Sequence, residues 1–215
     1  MRSNRILKIS IAALAAAVIS CKPESPALLM PVMGPKTTQG SDTLYHTIGS
    51  FAFKNQFGET ISNETVKGKI YVADFFFTTC QSICPEMSKN LVDVQKAFEK
   101  DDSVLILSHS VNPMHDTVEV LNAYSSKYNA KKNKWHLLTG DKKTIYDLAR
   151  ESYLVNALED DGTPEGFLHS ELFILIDTKG RIRGMFDGTD KAEVNKLIEQ
   201  IRLLKTEKEK KEIAL

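Results

Sequence analysis

Two cysteines, Cys80 and Cys84, stand in a CxxxC spacing at the end of an apolar run and immediately before Pro85. That spacing brings two sulfurs within reach of each other, close enough to share a metal ion or to close a disulfide. The preceding run, Ile70 to Phe77, is β-branched and aromatic with a single carboxylate, Asp74. It predicts a strand covered on both faces in the middle of a sheet. Thr78 and Thr79 interrupt the apolar pattern, and Pro85 with Glu86 opens a helix, since proline is pre-set for a first turn and acids suit that end. The cysteines therefore fall at a strand-to-helix junction. The unpaired amides and positive dipole end of the helix there favour the thiolate, which both chemistries need.

The remaining pattern supplies elements around this junction. Phe51 and Phe53 alternate with small or polar neighbours before Asn55 and Gly58, which predicts an N-terminal hairpin, and Asn63 is placed to cap a short turn through Val66. After the cysteines, Met87, Leu91, Val94, Ala97 and Phe98 recur at helical spacing, with lysines and Glu99 outside. Ser103 to Val111 reads as a second buried strand. Asp116 or Thr117 then caps a helix through Val120, Leu121 and Tyr124. Trp135 to Leu138 is a third strand, and Ile145, Leu148 and Ala149 mark another helix. Glu159 to Gly166 is an acidic, glycine-bearing loop. Leu172 to Ile176 pairs with Ile182 to Phe186 across Asp177-Thr178-Lys179-Gly180, and Val194 to Leu204 forms a last amphipathic helix. A hairpin, then alternating strands and helices, then a hairpin and a helix is the order of a thioredoxin-like α/β fold, a mixed central sheet flanked by helices.

Composition sets the outer limits. The chain has 28 Lys+Arg and 28 Asp+Glu, so no net field argues for nucleic acid as a partner. Arg2, Arg5 and Lys8 precede an apolar stretch, Ile9 to Ile19, too short to span a bilayer comfortably, which reads as an export signal. It ends Val18-Ile19-Ser20-Cys21 and resembles the bacterial lipobox, in which the cysteine is lipidated and starts the mature chain. Cys80 and Cys84 are then the only mature thiols, in a compartment where disulfides persist. Residues 22–41, with Pro23, Pro26, Pro31 and Pro35, are expected as a flexible tether in which Met30 and Met33 are incidental. Residues 205–215 are expected as a solvated, charged tail.

Four segments together resemble the Sco/SenC copper-delivery family. Phe75-Phe76-Phe77-Thr78 followed by Cys80-Gln81-Ser82-Ile83-Cys84-Pro85 looks like its FGFTxCxxxCP stretch, and Ser110-Val111-Asn112-Pro113-Met114-His115-Asp116-Thr117 its SxDPxxDT stretch. Leu138-Thr139-Gly140 matches its LTG, and His169-Ser170 occupies the place of its metal-binding histidine. The likeness covers about Gly49 to Leu204. It departs from the pattern at Phe76 for glycine, Asn112 for aspartate, Val118 for proline and Leu168 for the acid before the histidine.

The resemblance implies that residues 42–204 form a thioredoxin-like copper-binding domain, in which Cys80 and Cys84 as thiolates and His169 as imidazole bind one copper ion. Two soft sulfurs select Cu(I), and an imidazole suits both Cu(I) and Cu(II). It further implies a metallochaperone on the periplasmic or outer side of a membrane, anchored by lipid on Cys21. A cytochrome oxidase subunit would accept the copper, and an upstream copper donor or thiol reductant would serve the site. A different reading is a thiol-disulfide oxidoreductase cycling a Cys80–Cys84 disulfide on an exported substrate. A peroxide-reducing enzyme would need an arginine beside its cysteine, and none occurs between Arg5 and Arg150. His46, His109, His115 and His136 carry no motif support, and His109 and His136 are expected as satisfied residues of apolar strands.

Overall fold

The computed structural model describes residues 30–40, 42–155 and 170–213, with side chains as far as 207. Cys21, the expected acidic loop and His169 lie outside the described residues. Seven strands form one mixed sheet: β3 (Ala52–Asn55), β4 (Thr60–Ser62), β5 (Ile70–Phe76), β6 (Val104–Ser110), β7 (Trp135–Thr139), β8 (Leu172–Ile176) and β9 (Ile182–Asp187). Their spatial order is β4-β3-β7-β6-β5-β8-β9. Strands β5, β6 and β7 are parallel, and β3 and β8 run antiparallel to them. This is the mixed sheet flanked by helices that the sequence predicts.

Every residue of β5 and of β6 is buried. Two-sided burial explains why these strands read as continuous apolar runs, whereas the edge hairpin β3–β4 alternates, with Phe53 and Asn55 inward and Ala52 and Lys54 outward. Asn55 shapes that hairpin by accepting the amides of Phe57 and Glu59 on its side-chain oxygen, and Gly58 takes the positive φ of the turn. Helix α2 (Cys84–Ala97) turns Cys84, Met87, Leu91 and Val94 inward. Helix α3 (Val118–Lys127) is capped by Thr117, whose hydroxyl accepts from the Val120 amide. Helix α4 (Lys142–Asp147) runs into a π-helical turn over Leu148–Ser152. Asn63 begins the short α1 (Asn63–Val66) without capping it. Its side chain instead ties the Phe51 amide and the Gly49 carbonyl.

The two ends of the chain depart from expectation. Residues 30–33 are docked and 36–39 are paired rather than free: Met30 is buried, the Met33 amide donates to the Ile182 carbonyl, and β1 (Lys36–Gln39) pairs with β2 (Asp42–Tyr45) in a separate exposed ribbon. The final helix α5 (Lys191–Ile213) continues well past Leu204. One cause serves both. Arg183 on β9 donates to the Met30 and Pro31 carbonyls and to the Glu207 carboxylate, while Glu207 accepts the Met30 amide. Lys205 in the same stretch pairs with Asp101. Charges expected to face water are partnered, and the pairing orders the backbone on either side.

Candidate metal centre

Strand β5 delivers Cys80 and Cys84 to the C-terminal edge of the parallel strands. Both are buried free thiols, so the pair stands in its reduced form. Cys84 is the first residue of α2 and Pro85 the second, one position later than the proline alone suggests. The Cys80 amide donates to the Phe77 carbonyl at 3.2 Å, which curls the loop back over the strand end.

The two sulfurs are not equivalent. Burial pushes the Cys80 thiol up, but the Cys84 thiol, the Ser82 hydroxyl 3.5 Å away and the backbone amides of both residues stabilise its anion. The result lies below the ordinary thiol value. Cys84 is driven well above that value, by burial first and then by its bond to the Cys80 sulfur and the negative charges of Cys80 and Asp74. Of the two, Cys80 is the sulfur that ionises first. Below them, Asp74 accepts from Ser108 at 2.5 Å, and Ser108 accepts from the Trp135 indole at 2.8 Å. Burial raises the Asp74 carboxyl to about 7.

The loop before Cys80 is held by Asp116, a wholly buried carboxylate. Its oxygens accept from the Thr78 amide at 3.1 Å, the Thr78 hydroxyl at 2.5 Å, the Ser110 hydroxyl at 2.5 Å and His115 Nδ1 at 3.0 Å. Four donors fill the lone pairs of one carboxylate and join three segments: the β5–α2 loop, the end of β6 and the turn after it. The sequence offers Asp116 and Thr117 as rival caps for α3, and only one was needed. The hydroxyl of Thr117 takes that role, which frees the carboxylate for the loop. A surplus capping residue beside the cysteine motif is the signal in the sequence for this hub.

The remaining histidines sort by partner. His46 Nε2 meets the Ser152 carbonyl at 2.7 Å, and His136 Nδ1 meets the Asn55 amide group at 3.2 Å, so His136 is satisfied as expected. His109 is not. It is fully buried among Phe51, Phe53, Phe75 and Tyr153, and neither ring nitrogen has a hydrogen-bond partner. Its aromatic cage offers the ring nitrogens no partner among the described residues, and desolvation lowers its pKa to about 3.

Among the described residues no three side chains of His, Cys, Asp or Glu are grouped closely enough to hold a metal ion. A three-donor site on the cysteines therefore needs a ligand from outside them. Because β8 runs antiparallel to β5, pairing Ile176 with Tyr71 and Ile174 with Ala73, the chain enters β8 at the cysteine end of the sheet. Ser170, just before that strand, is buried.

The SCO1/SenC family model matches residues 39–205. The crystal structure of a SCO1/SenC family lipoprotein from Bacillus anthracis superposes with a TM-score of 0.67 at 32% identity, over 74% of this chain and 95% of that one. BsSco, a member of the Sco family of cytochrome c oxidase assembly proteins in which a disulfide switch was identified, gives 0.65 at 29%, over 78% and 98%. Bradyrhizobium japonicum ScoI with copper bound gives 0.61 at 27%, over 73% and 98%.

Proposed function

Because the chain belongs to the SCO1/SenC family, we propose that it binds copper through Cys80 and Cys84 and delivers it to a cytochrome oxidase during assembly. The observation that carries this reading is the free cysteine pair at the start of α2, with donors arranged around the Cys80 sulfur that favour its anion. A thiol whose anion is stabilised gives up its proton to Cu(I) more readily, and the neighbouring thiol becomes the second soft donor as it loses its proton to water. His169, one residue before Ser170, is the third ligand in this reading. An imidazole added to two sulfurs lets the site keep copper as Cu(I) or Cu(II), and three ligands leave a position for the acceptor. Lipid on Cys21 would hold the domain at the membrane beside an oxidase subunit.

The test is copper stoichiometry of the reduced full chain in detergent. One copper per chain is expected, with retention reduced at least tenfold in Cys80→Ala, Cys84→Ala and His169→Ala. Equal binding by all three variants and the parent would sink the proposal.

The inequality of the two thiols favours a second activity at the same residues. A low-pKa Cys80 suits attack on a substrate disulfide, with Cys84 resolving the mixed disulfide by closing a Cys80–Cys84 bond. The substrate is released as a dithiol, and an external thiol reductant restores the pair. In Cys84→Ser a mixed disulfide on Cys80 should accumulate with an oxidised oxidase subunit; failure to trap one under conditions where the parent reduces that subunit excludes this route.

A further inference from the structure

The turn that follows β6 carries two donors the cysteine site does not use. Asn112 to His115 is closed by the His115 amide donating to the Asn112 carbonyl at 3.0 Å, with Ser110 accepting the Asn112 amide at 3.1 Å. Met114 at its tip is 87% exposed, far more than any other large apolar side chain among the described residues. No contact explains a thioether held so fully in water. His115 beside it is half exposed, and its Nδ1 lies 3.0 Å from Asp116 Oδ1. A carboxylate only accepts, so Nδ1 carries the hydrogen, and in the neutral ring the lone pair is then on Nε2. An imidazole oriented by a carboxylate through one nitrogen is the arrangement that prepares the other for a metal. The same Asp116 holds Thr78 of the cysteine loop, and Thr78 Oγ1 lies 3.4 Å from His115 Nδ1. The two donors therefore sit on the segment bonded directly to the loop bearing Cys80.

We propose that Met114 Sδ and His115 Nε2 form a two-donor intake site for Cu(I) on the turn bonded to the cysteine loop. It rests on the reading of that site as a copper carrier and adds the route by which the ion reaches it. Thioether and imidazole are soft and borderline donors that accept Cu(I) and discriminate against hard cations such as Mg²⁺ and Ca²⁺. Two neutral ligands bind less tightly than two thiolates, so the ion passes inward. Transfer is ligand exchange without change of oxidation state. The Cu–N and Cu–thioether bonds break as two Cu–thiolate bonds form, and the protons held by the two sulfurs leave to water. A ligand pair outside the buried cysteines gives a donor protein a point of contact without opening the loop.

The experiment uses the full chain under anaerobic conditions with a Cu(I)–bicinchoninate complex as donor. In Cys80→Ser/Cys84→Ser, one weakly bound Cu(I) is expected, with NMR shifts at the Met114 methyl and the His115 ring. Adding Met114→Leu/His115→Ala should lower that affinity at least tenfold. In the chain with both cysteines, Met114→Leu, which leaves the bonds among His115, Asp116 and Thr78 in place, should slow copper uptake at least fivefold and leave the copper held by the cysteines unchanged. No Cu(I) in the cysteine-free chain, or Cu(I) that persists undiminished when Met114 and His115 are also replaced, overturns the intake site even if the parent binds copper normally. Failure of the parent to bind copper instead overturns the carrier reading, and the cysteine-free chain still decides the intake site. Met114→Leu in an exposed turn keeps the fold, so a null result cannot be traced to unfolding.

Discussion

At the cysteine end of the sheet, Asp116 is enclosed by two hydroxyls, one backbone amide and one imidazole. At the other end, beyond the last residue of β8, Asp177 is enclosed by two guanidinium groups. Arg181 donates to it through Nε at 2.9 Å and Nη2 at 2.6 Å, and Arg183 through Nη1 at 3.1 Å. Arg183 extends the second cluster to Glu207 and to the Met30 and Pro31 carbonyls. Both carboxylates are buried, yet only one has partners of fixed charge. Arginine is never deprotonated in a protein, so the far cluster is a permanent clamp on the chain ends. Hydroxyls and an imidazole rotate or exchange partners at little cost. The neutral cluster suits a loop that must hold two sulfurs and then let an ion leave.

The sharpest way to break this comparison is Arg183→Ala. It takes the buried guanidinium away from Glu207 and from the Met30 and Pro31 carbonyls, while Asp177 keeps Arg181, a loss of about 3–5 kcal/mol of unfolding free energy. Urea denaturation measures it, and residues 30–33 should lose their amide protection at the same time. Copper stoichiometry of the folded chain should not change. A parallel fall in copper binding would mean that the two ends are one unit and that the division of labour drawn above is wrong.

Asp116→Ala is the matching change at the site. Thr78, Ser110 and His115 lose their acceptor, but water reaches part of the loop, so a smaller cost of about 1–3 kcal/mol is expected. The local effect should exceed the global one. Amide exchange at Thr78 is expected to speed up by about tenfold or more, the equivalent of about 1.4 kcal/mol of local opening. Exchange at Thr78 that tracks global unfolding alone would show that Asp116 supports the fold and does not position the loop.

The contrast also explains what was legible in the chain beforehand. Strands β5 and β6 are apolar along their whole length, and nothing but a sheet interior accommodates such runs, so the core and the place of Cys80 and Cys84 could be read directly. Hairpin β8–β9 was equally plain from its turn residues. Long-range polar pairing was not. Arg183 and Glu207 look like surface residues until the fold sets β9 beside α5, and Met30 looks like part of a linker until Arg183 takes its carbonyl. Asp116 was visible only as a surplus cap. Local pattern shows which groups are polar, and only topology shows which of them meet.

Between the two clusters, on the strand that also carries Ser110, His109 has partners of neither kind, and it gives the smallest effect at neutral pH. Replacing an unpartnered buried imidazole by an apolar group of similar volume, His109→Leu, should alter stability by no more than about 1 kcal/mol at pH 7–8. In acid the two proteins should part. The folded-state pKa of about 3 lies below the ordinary histidine value near 6.5, so between those limits the unfolded chain binds more protons than the folded one. Stability carried by the neutral ring is complete above about pH 6.5 and is lost as pH falls towards 3, at about 1.4 kcal/mol per pH unit. His109→Leu removes that slope, so its denaturation midpoint should fall less steeply than the parent's from pH 6.5 downward. Identical slopes would mean that protonated His109 finds an acceptor or water inside the aromatic cage. The buried polar groups of this sheet would then all be partnered, whether by neutral donors, by fixed charge or by solvent.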